Sequence, residues 1–192
     1  MKKLILIPTP IGNLDDITIR AVKVLKSIDV LFSEDTRKTN KLLNHLSVKV
    51  KTISYHQFNE HKKLKKYIDI IQKNKLVGLV CDAGTPSISD PGFLLVRECL
   101  KKKINVECLP GPTALIPAIV KSGFSCEKFI FFGFLPTKKG RKTFLTNISK
   151  EKKTMIFYES PHRLLKTLND FKNTFNSERE YSVSKEISKI FE

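Results

Sequence analysis

The sequence CDAGTPSISDPG occupies residues 81–92, and its place in the chain points to the fold. It follows an apolar run at residues 76–80 that predicts a buried strand, and it precedes apolar residues at helical spacing in 93–100. Asp90 followed by proline is typical of a helix start, and Gly84 permits the positive φ of a tight loop. Open α/β sheets bind ligands at the carboxyl ends of their strands, so the segment predicts a ligand-binding loop. An ordinary strand-to-helix turn is the alternative.

The order of strand, polar loop and helix recurs through the first 114 residues. Apolar runs predict five strands, at residues 3–7, 30–32, 52–55, 76–80 and 105–109. Polar segments follow four of them, at residues 8–13, 33–37, 82–90 and 110–114. Strands that alternate with helices predict a parallel, doubly wound α/β sheet with right-handed crossovers. The four polar loops are therefore expected to converge at one edge of that sheet.

A second unit is predicted after residue 121. We expect an N-terminal α/β domain at residues 1–121 and a smaller, mixed α/β domain at residues 122–192. Further strands are predicted at residues 129–134, 155–158 and 180–185. Ser160 followed by proline predicts a capped helix start after the second of these strands.

The chain is strongly basic. Among 192 residues, 35 Lys and Arg stand against 19 Asp and Glu, which gives a formal net charge of +16 at pH 7. Such a charge favours nucleic acid or another anionic surface as a partner. Only six of the 35 are arginine, and the lysines are spread over many predicted helices, so the charge alone does not prove that partner.

Composition also argues against several classes of protein. No segment approaches the length of a membrane span, and the short apolar run before Pro8 predicts a strand rather than a signal peptide. The four cysteines lie far apart, with no CxxC pair and no clustered histidines, which is typical of reduced cytosolic cysteines and predicts no metal site. We therefore expect a cytoplasmic protein without a membrane partner.

The common fingerprints of nucleotide-binding proteins, proteases and esterases are missing, because the sequence has no GxGxxG, Walker, HExxH or GxSxG motif. The first loop carries prolines, which lack the backbone N–H groups that a phosphate cradle needs. The loops thus suit a ligand with polar ends and no phosphate. Asp82 can accept from an amine or a ribose hydroxyl, or it can only cap a neighbouring loop. Thr113 can hold a carboxylate, serve as an N-cap, or do both.

Six segments carry a resemblance to a known family. In chain order they are PTPIGNLDDITIRA (8–21), EDTRKT (34–39), CDAGTPSISDPG (81–92), PGPTA (110–114), FFGFLPTKKGRK (131–142) and YESPHR (158–163). Together they resemble the ribosomal RNA methyltransferases of the tetrapyrrole methylase superfamily, and they are too long and too many for a chance match. The resemblance implies a two-domain α/β fold that binds S-adenosyl-L-methionine in the cleft between a parallel doubly wound domain and a smaller one.

The resemblance also implies an activity and a set of contacts. The activity is 2′-O-methylation of a cytidine in the decoding centre of 16S rRNA, by a homodimer that acts on the small ribosomal subunit. Carried onto this chain, the cofactor-binding residues are Pro8, Thr9, Asp82, Ala83, Gly84, Thr85, Ile88, Thr113, Ala114, Tyr158 and Glu159.

Catalytic and RNA-binding residues are expected in and beside the same segments. Glu159 or His162 can assist deprotonation of the ribose hydroxyl, although Glu159 can equally orient Arg163. The predicted RNA-facing residues are Arg37, Lys138, Lys139, Arg141 and Arg163. For the basic loop at 138–142, a solvated surface without a partner is the alternative.

Two departures from the family pattern are visible. Cys81 stands where the family usually has serine. Family members continue beyond a segment like KEISKIFE (185–192) with a further helix and a closing strand, so we expect the second domain to be incomplete relative to the family. Two other functions stay open: the same fold and cofactor acting on a tetrapyrrole or a protein side chain, and an RNA-binding protein without catalysis.

Overall fold

The structure, a computed structural model, describes residues 2–192. The chain divides into two compact units, one comprising the residues up to Ala114 together with Glu186–Glu192, the other Leu115–Lys185. The division thus falls before the helix that begins at Leu115, whereas the sequence-based boundary at residue 121 falls near the end of that helix.

The first unit is built on one parallel sheet. Its strands are β1 (Lys3–Leu6), β2 (Val30–Ser33), β3 (Lys51–Ser54), β4 (Leu76–Val80) and β5 (Asn105–Cys108). Their order in the sheet is β3-β2-β4-β1-β5, and every neighbouring pair is parallel. The three central strands are almost wholly buried, as expected for a sheet that is covered on both faces. The predicted parallel α/β architecture is confirmed.

Four helices cover the two faces of this sheet: α1 (Ile19–Leu25), α2 (Thr36–His45), α3 (Glu60–Lys73) and α4 (Phe93–Lys101). Ile5 of β1 and Ile7, directly after it, share a core with buried residues of α1 and α2, while Leu4 and Leu6 share another with those of α3 and α4. Alternate residues of a strand point to opposite faces of the sheet. The helices that follow β1 and β2 therefore cover one face, and the helix that follows β4 covers the other. Such a reversal opens a crevice at the carboxyl ends of these strands.

The helix after β4 begins later than the sequence indicates. Its N-cap is Gly92, with a φ of 141°, and its first residue is Phe93, so the expected start at Asp90 and Pro91 is wrong. The positive φ of Gly92 turns the chain into the helix after the proline, and Asp90 instead lies half-buried beside the Cys81 thiol. The loop therefore keeps a carboxyl group inside it rather than using that group as a cap.

The second unit contains α5 (Leu115–Ser122), β6 (Phe129–Phe134), α6 (Arg141–Ile148), β7 (Thr154–Tyr158) and α7 (Leu164–Thr174). Strands β6 and β7 form a parallel pair over a small core of Leu135, Leu145, Phe171 and Phe175. The strand predicted at 180–185 is wrong, because none of residues 175–192 pairs with a strand and Tyr181 and Val183 stay exposed.

No helix in residues 2–192 is long and apolar enough to cross a membrane.

Candidate functional site

The loops after β1 and β4 are joined by a short antiparallel bridge. Thr9 N–H donates to the Gly84 carbonyl at 2.9 Å, and Gly84 N–H donates to the Thr9 carbonyl at 2.9 Å. The Thr9 hydroxyl, which is buried, also donates to the Cys81 carbonyl at 3.3 Å. Gly84 has a φ of +81°, a left-handed conformation that few other residues adopt without strain. The two loops therefore form one rigid platform.

The loop after β5 joins the same platform. The Thr85 hydroxyl donates to the Pro112 carbonyl at 2.9 Å. A Cβ added to Gly111 would lie 2.6 Å from the Cβ of Pro8, so the proline ring packs against Gly111 more closely than any other residue there would allow. Thr113 and Ala114 follow Pro112 directly, and Ile88 is partly exposed in the loop after β4. Within the first unit the structure thus brings together the three loops that contain nine of the expected cofactor residues: Pro8, Thr9, Asp82, Ala83, Gly84, Thr85, Ile88, Thr113 and Ala114.

Asp82 connects this platform to the start of α2. Its Oδ1 accepts from the Asp35 N–H at 3.1 Å, and its Oδ2 lies 2.6 Å from Lys38 Nζ. Its own N–H donates to Glu34 Oε2 at 3.3 Å. Both carboxylate oxygens are therefore engaged, as the loop-capping alternative for Asp82 requires, and a ligand that binds Asp82 must share or replace these contacts. The pairing with Lys38 was missed in the sequence because the two residues are 44 positions apart.

Carboxyl groups crowd the ends of β2 and β4, and their environments differ. Burial raises the pKa of Glu34, and the negative charge of Asp90 raises it further. Burial is also the main cause that raises the pKa of Asp90. Hydrogen bonds from Arg37 lower the pKa of Asp35 to about 2, so that group stays ionised. Burial raises the pKa of the Cys81 thiol, which keeps that cysteine in its neutral form.

A cavity of about 180 Å³ opens between this platform and α2. We call it the α2 pocket. Its lining residues are Thr9, Pro10, Leu14, Lys38, Thr39, Lys41, Leu42, Cys81 and Asp82. It shares Thr9 and Asp82 with the expected cofactor contacts, and none of its lining residues belongs to the loop after β5. Across residues 2–192, no group of three or more His, Cys, Asp and Glu side chains is arranged to hold a metal ion.

In the second unit, Glu159 stands at the end of β7 and accepts three hydrogen bonds. Its Oε1 accepts from Ser160 N–H at 2.7 Å and lies 2.6 Å from an Arg163 guanidinium nitrogen, and its Oε2 accepts from the Thr167 hydroxyl at 2.6 Å. The role of orienting Arg163 is therefore present in the structure. Tyr158, the residue before it, packs edge-on against Phe131 with ring centroids 4.9 Å apart.

Arg141 belongs to the same network rather than to the surface. Its side chain is 8% exposed, its Nε lies 2.7 Å from Asp170 Oδ2, and its two terminal nitrogens donate to the Pro136 carbonyl and the Thr167 hydroxyl at 3.1 and 2.7 Å. Thr167 thus links Arg141 to Glu159. All three guanidinium nitrogens are engaged within the unit, so we leave Arg141 out of the proposed RNA-facing set. Their spacing places Thr167 and Asp170 on one side of α7, but it does not identify Arg141, which lies 26 and 29 positions earlier, as their partner.

The other expected RNA-facing residues are more accessible. Lys138 and Lys139 are exposed in the loop between β6 and α6, and His162 is exposed in a short 3-10 turn before α7. The Arg37 side chain is 87% exposed while paired with Asp35. Arg163 is partly exposed and paired with Glu159.

Comparison with known proteins identifies the family. The family model described as "Tetrapyrrole (Corrin/Porphyrin) Methylases" matches residues 3–192. Among curated proteins, the chain is 45% identical to "Ribosomal RNA small subunit methyltransferase I" of Thermotoga maritima, over 99% of this chain and 85% of that protein. It is 47% identical to the protein of the same name from Vibrio cholerae, over 98% of this chain and 66% of that protein. The chain thus spans about two thirds of the length of the longer relative.

Solved structures agree on the fold. Uroporphyrin-III-C-methyltransferase from Thermus thermophilus has a TM-score of 0.64 at 15% identity, over 93% of this chain and 76% of that one. Cobalt precorrin-4 methyltransferase has a TM-score of 0.65 at 19% identity, over 90% of this chain and 75% of that one. Identities this low show the fold alone. The family match and the near full-length similarity to curated relatives show more: this chain is a methyltransferase of the tetrapyrrole methylase family and belongs within it to the ribosomal RNA small subunit methyltransferases I.

Proposed function

We propose that the chain transfers a methyl group from S-adenosyl-L-methionine to the 2′-oxygen of a cytidine in the decoding centre of 16S rRNA. The observation that carries this proposal is the 43–47% identity, over nearly the whole chain, to relatives that bear the rRNA small-subunit methyltransferase name. The exposed lysines and the net charge of +16 are consistent with an RNA partner.

The residues at the carboxyl ends of β1, β4 and β5 suit this cofactor. The loops around Thr9, Gly84 and Pro112 hold one another in place by hydrogen bonds and are rich in proline, so they form no phosphate cradle, and the cofactor carries no phosphate. The carboxylates of Asp35 and Asp82 lie beside the platform, each paired with an exposed basic side chain, Arg37 and Lys38, that a cationic sulfonium or ammonium group can replace. When bound, the cofactor supplies an electrophilic methyl group.

The chain's own contribution is to bind and align. We assign the loops of the first unit to cofactor binding, together with Tyr158 and Glu159 of the second unit. An in-line displacement gains most of its rate from such alignment and from exclusion of water. For removal of the 2′-hydroxyl proton we favour His162, since its ring is exposed, whereas the oxygens of Glu159 already accept three hydrogen bonds. We further propose that the protein acts in the cytoplasm as a homodimer.

Label transfer tests the proposal. Purified protein is incubated with methyl-labelled cofactor and small ribosomal subunits, and the rRNA is digested to nucleosides. The expected product is 2′-O-methylcytidine at one position. Label on a base, or label found on a tetrapyrrole or protein acceptor but not on rRNA, would overturn it.

Calorimetry provides a second measurement: Asp82→Asn is expected to weaken cofactor binding by about 1–3 kcal/mol, and unchanged affinity would remove Asp82 from the site.

A further inference from the structure

The lining of the α2 pocket combines apolar and cationic side chains. Leu14, which is 42% exposed, Leu42 and Pro10 provide the apolar part. Lys38 and Lys41 lie three residues apart on α2, the helix that also supplies Leu42, so they stand next to each other, and both are exposed. A pocket with an apolar surface and a cationic lip matches a small amphipathic anion.

The size of the pocket restricts the occupant. Its volume of about 180 Å³ is well below the range of about 300–1,000 Å³ that is usual for larger ligands. A single pyrimidine ring fits this volume against the leucines, with its sugar and phosphate outside the cavity at the exposed lysines, while a stacked pair of nucleotides does not fit. An acidic side chain of a peptide could pair with the lysines, but it has no planar ring to pack against Leu14 and Leu42.

The charges at the lip are available to a ligand. Lys38 is paired with Asp82, but its side chain is 62% exposed, and an ion pair of that exposure contributes little and exchanges readily. Lys41 is exposed one turn further along the helix. A phosphate between them gains two charge-assisted contacts without having to break a buried interaction.

The pocket also adjoins the platform that we assign to cofactor binding. Thr9 and Asp82 line it and belong to the loops assigned to cofactor binding. A nucleotide with its ring at Leu14 and Leu42 can therefore place its sugar beside Thr9 and Asp82, next to the cofactor loops, where methyl transfer requires the 2′-oxygen to be.

We propose that the α2 pocket is the subsite for the acceptor nucleotide of the RNA substrate. Leu14 and Leu42 contact the pyrimidine ring, Lys38 and Lys41 bind the adjoining phosphate, and Thr9 and Asp82 face the ribose. This assignment rests on the proposed function, and it names residues of α2 as determinants of RNA binding in addition to those of the basic loop.

Two variants of matched charge test the subsite. Lys41→Glu reverses one charge at the pocket lip, and Lys66→Glu reverses the charge of an exposed lysine on α3, across the sheet. We expect Lys41→Glu to raise the KM for small subunits about tenfold, the scale of one lost charge-assisted contact, with kcat and cofactor affinity close to the parent's. Lys66→Glu is expected to keep the parent KM. An equal KM in both variants, on an enzyme that methylates rRNA, would overturn the subsite and leave the proposed function intact.

A binding measurement decides the subsite without any catalysis. In protein with labelled leucine methyl groups, cytidine 3′-monophosphate is expected to shift the NMR signals of Leu14 and Leu42, and inorganic phosphate alone to shift them less. In Lys41→Glu the response to the nucleotide is expected to be weakened. Unmoved leucine signals with the nucleotide in excess would overturn the proposal. If the parent fails to methylate rRNA, the proposed function fails, and this titration still decides whether the pocket holds a nucleotide.

Discussion

Thr9 and Gly84 exchange two backbone hydrogen bonds of 2.9 Å, which join the loops after β1 and β4 in antiparallel sense although the strands themselves are parallel. The bridge places the first loop, which is rich in proline and cannot cradle a phosphate, against the loop that begins at Cys81. The geometry of the candidate cofactor site therefore depends on the backbone conformation at Gly84.

Gly84→Ala is expected to weaken cofactor binding by loosening this bridge. The φ of +81° costs an alanine about 1–2 kcal/mol, while its added Cβ would meet Ile11 and Pro112 only at ordinary distances of 3.5 and 3.7 Å. The loss should thus come from the backbone and not from a steric clash. Calorimetry of S-adenosyl-L-methionine binding measures it.

Gly123→Ala is the matched control for this change. Gly123 has a φ of +75°, lies in the second unit, and has nothing within 4 Å of an added Cβ. Gly123→Ala should lower the unfolding temperature by a similar amount, because its backbone strain is similar, and it should bind the cofactor with the parent's affinity. If both variants bind the cofactor as the parent does, the bridge has no role in binding.

The pH dependence of stability is expected to change in Glu34→Gln. Burial raises the pKa of Glu34 above its ordinary 4.5, so the folded chain holds that proton more tightly than the unfolded chain. The stability from this group is fully present below pH 4.5 and is lost as the pH rises through the raised pKa. Glutamine keeps an acceptor for the Asp82 N–H and carries no charge. We therefore expect a higher unfolding temperature than the parent's at neutral pH, and a smaller difference in acid.

Thermal unfolding by circular dichroism at several pH values checks this expectation. Asp15→Asn removes a charge of the same sign from an exposed position of the same unit, and it controls for the change in net charge. A Glu34→Gln difference that stays constant with pH, or that Asp15→Asn reproduces, would contradict a penalty from burial.

Much of the first unit could be predicted from its sequence, because short apolar runs alternate with amphipathic helices and prolines mark the ends of strands. All five predicted strands of the parallel sheet were found, and β4 has the predicted bounds. The start of α4 was misplaced because Gly92 supplies a φ that the Asp-Pro signal does not anticipate. The strand predicted at 180–185 is absent because that segment has no partner strand, and a strand without a partner does not form a sheet.

The partners of the side chains at the site could not be predicted from these sequence patterns. Lys38 pairs with Asp82 and Arg141 with Asp170 only because the fold brings distant segments together. A basic residue in a basic loop resembles its neighbours in sequence, yet Arg141 is buried while Lys139 is exposed. Burial, which decides whether a charge is available to RNA, is a property of the packed unit.

The salt dependence of RNA binding should separate these two kinds of charge. Replacing Lys138 and Lys139 together by alanine is expected to reduce the slope of log K against log salt by up to about two units, since each phosphate contact contributes nearly one. Arg141→Lys should leave the slope unchanged, and it should lower stability by about 1–3 kcal/mol because lysine cannot reproduce the three guanidinium hydrogen bonds. A parental slope in the double variant would mean that those lysines are solvated and touch no phosphate.

Methylation is expected to require folded small-subunit rRNA, within an assembling particle, and to fail on a short single-stranded oligonucleotide. The sequence contains no tryptophan, no RNP aromatic motif and no GxxG segment, and its exposed lysines recognise backbone and shape rather than base edges. Specificity must then come from the way a structured RNA presents one ribose to the site. A homodimer would widen the basic surface, so that one subunit holds the RNA while the other positions the methyl group. The measurement compares label transfer to purified small subunits, naked 16S rRNA and an oligonucleotide that spans the methylated position. Turnover that is similar on all three would show that local sequence is sufficient and that shape recognition plays no part.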